Sequence, residues 1–359
     1  MRKYLLHVLI ISVVFLLAPT AQVATYAGEI EDAKEEVRKN PDDAWAHNDL
    51  GIAYFKSGKY KEAIESNKQA IRIVPDFVLA HYNLGCAYNS LGMHKEAIES
   101  YKQAIRIDPD CADAHNNLGL SYGNLGMYKE EIGSYKQAIR IDPDLALAHN
   151  NLGCAYRNLR KYKEAIESYK QAIRINPDFA AAHYNLGIAY YCSGRYEEAI
   201  ESHKQAIKID PDIALAHDNL GLAYGISGKY EEAIESHKQA IRIDPDCADA
   251  HYNLGVAYVG LDKYEEAIES YKQAIRIDPD YRNAHNNLGI AYVKSGMNEE
   301  AIESYKQAIR IDPDYALAHY NLGLAYILLK DRGSAMEQYK ILKKLDTEKA
   351  NDLFNAIYE

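Results

Sequence analysis

Tryptophan, phenylalanine and basic residues are all scarce in this chain of 359 residues. It has one Trp and 5 Phe, although Tyr occurs 31 times, and its 41 Lys and Arg are outnumbered by 52 Asp and Glu, which gives a net charge of −11. Binding to nucleic acid needs a basic face that neutralises phosphates, and anionic lipid surfaces attract the same charge. We therefore expect no nucleic-acid partner, and no membrane contact beyond the N-terminal segment.

Motifs of catalysis and cofactor binding are also missing from the sequence. It contains no glycine-rich phosphate loop and no HExxH motif. Serines recur in the stretch "AIESYKQA" among charged residues and without a positioned base, at Ser100, Ser168, Ser270 and Ser304. We predict a protein with no enzymatic activity, no catalytic residues and no cofactor.

Long apolar runs are absent except at the N-terminus. A short basic start, "MRK", precedes "YLLHVLIISVVFLLA" (4–18), and small and polar residues follow it. This order is typical of a secretory signal peptide, here residues 1–27, and predicts export to the periplasm or the extracellular space with a mature chain from Gly28. The alternative is an uncleaved membrane anchor, although a run of about 15 residues is shorter than the ~20 of a spanning helix.

The rest of the chain repeats with a period of 34 residues. The dipeptide Leu-Gly marks the period, beginning at Leu50, Leu84, Leu118, Leu152, Leu186, Leu220, Leu254, Leu288 and Leu322. Counted from six residues before each Leu, nine copies fill 44–349: 44–77, 78–111, 112–145, 146–179, 180–213, 214–247, 248–281, 282–315 and 316–349. Residues 28–43, which resemble half a copy, and 350–359 are predicted to form capping helices at the two ends.

Each copy has the pattern of a helical hairpin. In 282–315, apolar residues recur at helical spacing in two runs that Gly296 separates. Gly296 is placed to end the first helix in the left-handed conformation, Pro313 stops the second, and Asp314 is expected to cap the helix that follows. One hairpin is too small to bury its own apolar face, so the copies must stack into an all-α array.

The copies resemble the tetratricopeptide repeat (TPR) family. That family has Leu, Gly and Tyr at positions 7, 8 and 11, Ala at 20 and 27, an aromatic residue at 24 and Pro at 32. The second copy matches with Leu84, Gly85, Tyr88, Ala97, Tyr101, Ala104 and Pro109. The resemblance implies a TPR solenoid, a right-handed superhelix of antiparallel helix pairs whose first helices line a concave surface.

A few positions depart from the family pattern. Position 4, often Trp in the family, is His in every copy, which we interpret as a packed substitute. Position 20 is Glu131 in the third copy, and position 24 is Asn67, His203 and His237 in the first, fifth and sixth. The ninth copy departs after Tyr339.

Position 6 is asparagine in eight copies. These residues are Asn83, Asn117, Asn151, Asn185, Asn219, Asn253, Asn287 and Asn321. At about 100° per residue, position 6 lies opposite the apolar face of the first helix. A ladder of carboxamides, each with one acceptor and two donors, would suit the backbone of an extended peptide. The alternative, compatible with the first, is that these asparagines bond successive copies to each other.

The neighbouring positions suggest what such a groove would bind. Position 5 supplies Tyr82, Tyr184, Tyr252 and Tyr320, which we add to the predicted peptide-binding residues, and position 9 is apolar or Cys in every copy. No three successive copies carry the Lys, Asn and Arg set with which chaperone-adaptor members of the family clamp a C-terminal carboxylate. The expected ligand is an extended segment that is uncharged or mildly basic.

The histidines and cysteines do not predict a metal site or disulfides. Stacked helices lie about 8–10 Å apart, whereas zinc ligands converge within about 2.0–2.1 Å of one ion. The remaining candidates for a metal are the pairs His183 with His203 and His217 with His237. Free thiols, buried or semi-buried, are expected at Cys86, Cys111, Cys154, Cys192 and Cys247, because cysteines at equivalent positions lie copies apart.

Taken together, these patterns predict an exported scaffold for protein–protein interaction. Its concave groove would hold an extended peptide or a partner protein whose identity the repeats do not encode. One alternative is self-association into a coat or matrix through the near-identical second helices. Another is an accessory subunit of an envelope machine for secretion or polysaccharide assembly.

Overall fold

The computed structural model describes the backbone of residues 20–359 and the side chains from Tyr26 onward. The predicted signal segment therefore lies outside the described residues as far as residue 19. The helices are α1 (Thr20–Lys39), α2 (Ala44–Lys56), α3 (Tyr60–Ile73), α4 (Val78–Ser90), α5 (His94–Ile107), α6 (Ala112–Asn124), α7 (Tyr128–Ile141), α8 (Ala146–Asn158), α9 (Tyr162–Ile175), α10 (Ala180–Cys192), α11 (Tyr196–Ile209), α12 (Ala214–Ile226), α13 (Tyr230–Ile243), α14 (Ala248–Val259), α15 (Tyr264–Ile277), α16 (Arg282–Lys294), α17 (Asn298–Ile311), α18 (Ala316–Leu328), α19 (Arg332–Leu345) and α20 (Thr347–Tyr358). The all-α class is confirmed, and α1 runs through the predicted cleavage point at Ala27.

A left-handed residue separates the two helices of a copy. Gly296 adopts this conformation with φ 78°, as its position predicts. Where position 15 is not glycine, Arg160, Asp262 and Lys330 take the same conformation with φ between 56° and 62°. The turn geometry is therefore kept in those copies although it strains a side chain with a Cβ.

The prediction that Asp314 caps the next helix is wrong. The N-cap residue of α18 is Tyr315, which makes no side-chain capping bond. Instead, the carboxylate of Asp312 accepts a hydrogen bond from the backbone N–H of Asp314 at 3.2 Å. The acidic residues beside the proline thus stabilise the turn before α18, and they do not cap the helix.

The chain divides into two compact units, one ending at Leu159 and the other Arg160–Glu359. Within each unit, the first helices of successive copies contact each other, from α2 to α8 and from α10 to α18, whereas among the described helices successive second helices do not. Because the second helices lie farther apart, the first helices line the concave side of each unit. None of the helices in residues 20–359 is both long and apolar enough to cross a membrane.

The core of a copy combines alanines with one ring. In the eighth copy Ala284, Ala291, Ala301 and Ala308 are fully buried, which lets the helices approach closely. The ring of Tyr305, at position 24 on the second helix, lies against Gly289, at position 8 on the first helix. Position 8 is a glycine in every copy. This contact explains the recurring Leu-Gly dipeptide.

The C-terminal helix α20 replaces a further copy. It buries Ala350, Leu353 and Ile357 against Leu342 of α19, in the region where the ninth copy departs from the repeat. A Cβ at Gly323 would lie 2.5 Å from the Cδ2 of Leu353. The helix α20 therefore covers the surface that α18, the first helix of the ninth copy, would otherwise expose. At the other end, Ile30 of α1 joins the core around α2.

Candidate functional site

The asparagines at position 6 bond successive copies to each other. Within each unit, these asparagines donate from Nδ2 to the position-5 side chain of the preceding copy. In the first unit the pairs are Asn83 with Asn48 (2.9 Å), Asn117 with Tyr82 (3.0 Å) and Asn151 with Asn116 (3.1 Å). In the second unit they are Asn219 with Tyr184 (3.2 Å), Asn253 with Asp218 (3.1 Å), Asn287 with Tyr252 (3.0 Å) and Asn321 with Asn286 (2.9 Å). The structure thus shows the inter-copy bonds that the sequence left as an alternative role.

The residue at position 5 determines whether the Oδ1 of the neighbouring position-6 asparagine receives a hydrogen bond. Where it is asparagine, its own Nδ2 donates to the Oδ1 of position 6, as Asn116 does to Asn117 and Asn286 to Asn287, both at 3.2 Å. Where it is Tyr or Asp, no such donor exists. Among the described residues, nothing donates to the Oδ1 of Asn83, Asn253 or Asn321, and all three are half-buried. These oxygens keep their capacity to accept.

The four predicted tyrosines all lie at half-buried positions on the first helices. Burial raises the pKa of Tyr252 above its usual value, and its ring lies 5.0 Å from that of Tyr281. The hydroxyls of Tyr82 and Tyr184 each accept a hydrogen bond from the position-6 asparagine of the following copy. Tyr320 packs against the cluster that α20 forms with α19. The hydroxyls of Tyr82, Tyr184 and Tyr252 therefore act as acceptors within the ladder.

Large apolar side chains stand exposed at position 2 of the first helices. The exposed fractions are 58% for Trp45, 45% for Leu79 and Leu147, 49% for Leu215 and 38% for Leu317. At position 9, Val256 is 42% exposed. The sequence places position 2 on the same side as position 6, although its residues were not among the predicted peptide-binding residues. The available signal was that apolar residues recur at this position although the core needs none there.

One carboxylate belongs to the ladder. Asp218 accepts from Nδ1 of His237 at 2.7 Å and from Nδ2 of Asn253 at 3.1 Å. His237 is 2% and Asp218 is 7% exposed, so both partners of this pair are inside the stack. The position-24 histidine of the preceding copy, His203, has no such acid: both ring nitrogens are buried without a partner, and burial lowers its pKa to about 4.

The position-4 histidines are held by the loop before them. In all nine copies Nε2 lies 2.9–3.2 Å from the carbonyl oxygen of the proline six residues earlier, from His47 with Pro41 to His319 with Pro313. Because a carbonyl only accepts, Nε2 carries the proton. His183 and His217 are thus each engaged with a proline carbonyl. In the described part of the chain, no group of three or more His, Cys, Asp or Glu side chains could hold a metal ion.

The cysteines are free thiols, of which Cys86, Cys111, Cys154 and Cys247 are half-buried. Cys192 is exposed, so the expectation of burial is wrong for this residue. It is the last residue of α10, at position 13, where the first helix ends. A residue in this terminal turn has fewer neighbours than one in the middle of the helix.

Comparisons with known proteins agree with this architecture. A family model described as "TPR repeat" matches residues 53–92, 85–126, 153–194, 226–262, 261–296 and 291–329. Models described as "Tetratricopeptide repeat" match 180–213, 33–65 and 134–167, and 112–145 and 316–348. A comparison with curated proteins gives no match.

Solved structures that match this chain include the following three. A crystal structure of MamA is 29% identical, covers 48% of this chain and 93% of its own, and gives a TM-score of 0.45. YrrB, described as a TPR protein with an unusual peptide-binding site, is 25% identical with coverages of 52% and 96% and a TM-score of 0.46. The APC/C hetero-tetramer Cut9-Hcn1 is 15% identical, covers 94% of both chains and gives 0.51. Because the repeat model matches more than half of the chain and the helix pairs follow its period, the chain belongs to the tetratricopeptide repeat family.

Proposed function

We propose that this protein is a protein-interaction scaffold that holds an extended segment of a partner against its first helices, on the concave side of each unit. The observation that carries the proposal is the row of exposed apolar side chains at position 2. Leu79 and Leu215 leave nearly half of their surface in water, although leucine is among the residues most often buried. Trp45 and Leu79 occupy this position in successive copies and Asp113 follows them, and exposed apolar surface rimmed by polar residues is typical of interaction sites.

The carboxamides beside this row would receive the backbone of the segment. Their Nδ2 groups are engaged within the array, so the free oxygens of Asn83, Asn253 and Asn321 are the groups that would accept backbone N–H bonds. The eight asparagines and the four tyrosines remain the proposed peptide-binding set. Their contribution is to accept from the peptide and to hold the groove in one geometry, because a preorganised surface binds with a smaller loss of entropy.

The charge of this side favours an uncharged or basic segment. No Lys or Arg occupies positions 2, 5, 6 or 9 in any copy, whereas Asp49, Asp113, Asp218 and Asp249 do. A strongly acidic segment would meet like charge, which costs affinity and slows association. We include in the proposal that the protein acts by binding alone, without catalysis.

The test replaces exposed leucines by the residue that the array itself uses at position 2. Leu147→Asn and Leu215→Asn follow the precedent of Asn283, and neither leucine belongs to the buried core. A display library of extended peptides is selected on the chain from Gly28, and binding of the selected peptides is measured by calorimetry. Leu147→Asn should weaken the peptides that bind the first unit, and Leu215→Asn those that bind the second, each by about fivefold or more, since a leucine contributes about 1 kcal/mol or more.

The matched control is Glu99→Gln, on a second helix, where 69% of the Glu99 side chain is exposed. It should leave the affinity unchanged. If the leucine variants bind the selected peptides as tightly as the parent does, the binding surface is elsewhere and the proposal is wrong.

We also propose that residues 1–27 direct export, with the membrane-anchored form as the alternative. N-terminal sequencing of the protein isolated from expressing cells tests this directly. A start at Gly28 in an extracytoplasmic fraction supports export with cleavage. An intact N-terminus in the membrane fraction supports the anchor, and an intact N-terminus in the cytosol contradicts both.

A second candidate function is self-association, which the exposed aromatic side chains at the C-terminal end favour. Phe354 and Tyr358 are 39% and 64% exposed, and their rings lie 4.7 Å apart. Light scattering after size exclusion at several concentrations measures the mass in solution. A concentration-dependent dimer that Phe354→Ser and Tyr358→Ser abolish would support this function, whereas a constant monomer would exclude it.

A further inference from the structure

Glu131 is a buried carboxyl at a position where the other eight copies have alanine. Those residues are Ala63, Ala97, Ala165, Ala199, Ala233, Ala267, Ala301 and Ala335, all with an exposed fraction of 0%. Glu131 lies in the first turn of α7 and is only 3% exposed. The third copy therefore places an ionisable group between helices that everywhere else meet through a methyl group.

Room for this carboxyl comes from Gly123 on α6. A Cβ at Gly123 would lie 2.6 Å from Oε1 of Glu131, so a larger residue there would force the carboxyl to move. Gly225 occupies the same position in the sixth copy, where position 20 is Ala233, and a Cβ there would meet nothing within 4 Å. The space beside Gly123 in the third copy is thus filled by the Glu131 carboxyl, whereas the space beside Gly225 in the sixth copy is not filled.

No group compensates a charge on Glu131. Its Oε2 is buried and has no hydrogen-bond partner in the described part of the chain. Burial raises the pKa of Glu131 to about 7, with no contribution from a neighbouring charge. An unpaired carboxylate in such a place is strongly unfavourable, and the group relieves this cost by staying protonated or by moving into water.

The ionisable groups of the surrounding helices face elsewhere or are neutral. On α6, the Tyr122 hydroxyl interacts with Lys102 of α5. On α7 itself, Tyr135 is the group whose pKa the Glu131 charge raises further. On α8, the ring of Tyr156 lies below Lys136, the Cys154 thiol faces Tyr135, and Arg157 is engaged in its own interaction.

We propose that the third copy opens under proton control: protonated Glu131 keeps α7 packed on α6, and the ionised carboxylate leaves through the gap beside Gly123 and frees the first turns of α7. Gly133, two residues further along α7, favours this opening because glycine weakens a helix interior. The first helices of the second to fourth copies touch along the concave side. Opening of the third copy therefore changes the spacing of that side and makes binding there depend on pH.

The direction of the effect follows from the raised pKa. Between 4.5, the usual pKa of a Glu side chain, and about 7, the packed form binds a proton that the open form releases. The free-energy advantage of the packed form is therefore largest below pH 4.5 and falls as the pH rises through this window. Above about pH 7 it does not change further.

Hydrogen exchange measured by mass spectrometry on the full chain tests the proposal. Exchange rates are corrected for the intrinsic effect of pH. The internal reference is α5 of the second copy, which has Ala97 at position 20. Every protein compared carries His94→Tyr, because burial lowers the pKa of this first residue of α5 and its titration would change the reference. From about pH 5 to about pH 8 the protection of α7 relative to α5 should fall by roughly 70-fold. In Glu131→Gln and in Glu131→Ala, which restores the residue of the other copies, the ratio should stay constant.

Glu130→Gln is the matched control, because Glu130 precedes Glu131 on α7 and is exposed. This variant should keep the pH dependence of the parent. The proposal is wrong if α5 and α7 lose protection in parallel, or if Glu131→Ala shows the same pH dependence as the parent. A binding experiment with the Leu147 and Leu215 variants is separate from this readout, so the two proposals can fail independently.

Discussion

The Nδ2 of Asn321 donates a hydrogen bond to the Oδ1 of Asn286, one copy earlier in the chain, at a distance of 2.9 Å. Asn286 is completely buried, and its own Nδ2 donates to Asn287. The bond therefore satisfies a carbonyl oxygen that water cannot reach. A ladder built from such bonds stabilises the stack whether or not a ligand is present, which gives the position-6 asparagines a measurable structural role.

Asn321→Ala should lower the free energy of unfolding by about 1–2 kcal/mol, because it leaves the buried Asn286 oxygen without a donor. Glu99→Ala is the control, because 69% of the Glu99 side chain is exposed on a second helix. This variant should change the stability by no more than about 0.5 kcal/mol. Equilibrium urea denaturation of both variants measures the difference, and equal losses would remove the structural role of the ladder.

Asp218→Ala should destabilise the protein more than Asp218→Asn does. The alanine variant leaves the buried Nδ1 of His237 and the Nδ2 of Asn253 without an acceptor, a loss of about 2–4 kcal/mol. Asparagine keeps one acceptor oxygen, and the array already uses it at position 5 in Asn116 and Asn286. We expect this variant to lose about 1 kcal/mol.

Denaturation curves for the two Asp218 variants at the same pH give the comparison. The outcome that contradicts the hydrogen-bond assignment is an identical loss for both substitutions. In that case the packing volume of the side chain, rather than its oxygen atoms, would account for the stability of the sixth copy.

His203→Tyr should stabilise the protein, most strongly in acid. Burial lowers the pKa of His203 to about 4, so the contribution of the neutral ring is full above 6.5 and is lost as the pH falls towards about 4, where the unfolded chain takes up the proton. This loss reaches about 3 kcal/mol. Tyrosine does not titrate in this range, and Tyr101 and Tyr271 already fill position 24 beside a position-5 tyrosine, with ring centroids 6.0 and 5.8 Å apart.

Thermal or urea unfolding of His203→Tyr and the parent at about pH 7.5 and about pH 4.5 tests this. The remaining ionisable side chains are the same in both proteins, so their contributions cancel in the difference. A difference in stability that is the same at both pH values would mean that His203 is not buried as a neutral ring.

Features that depend on one copy alone were predictable from the sequence. The period of 34 residues determines the helix pairs, Gly296 closes its helix with φ 78°, and Lys102 pairs with Glu99 at 3.2 Å on the second helix. Each of these follows from spacing within one helix or turn. Asp314 was misassigned because two acidic residues flank the proline, and local sequence does not decide which of them closes the turn.

Features that depend on the stagger between copies were not predictable. Asn117 and Tyr82 are 35 residues apart, and their bond requires that position 6 of one copy lie beside position 5 of the copy before it. No periodicity within a helix contains that offset. The exposure of Leu215 likewise follows from how far successive first helices overlap, so the sequence placed it on the right side without showing how much of it stays in water.

Two glycines provide a matched pair for the contact between positions 8 and 24. A Cβ at Gly255 would lie 2.6 Å from the Cε1 of Tyr271, whose ring is 1% exposed and packs against Tyr252. Gly225, inside α12, would place a Cβ in open space. Gly255→Ala should therefore lower the free energy of unfolding by about 2 kcal/mol or more, because the buried ring has to move.

Gly225→Ala should raise the free energy of unfolding by about 0.5 kcal/mol, because alanine favours the helix and meets no neighbour. The same urea denaturation experiment measures both variants against the parent. A loss of stability at Gly225 as large as that at Gly255 would show that helix geometry, and not the ring at position 24, requires glycine. Opposite signs at the two positions would locate the requirement in the contact with Tyr271, whose place against the position-8 glycine is taken by Asn67 in the first copy and by Leu353 in the ninth.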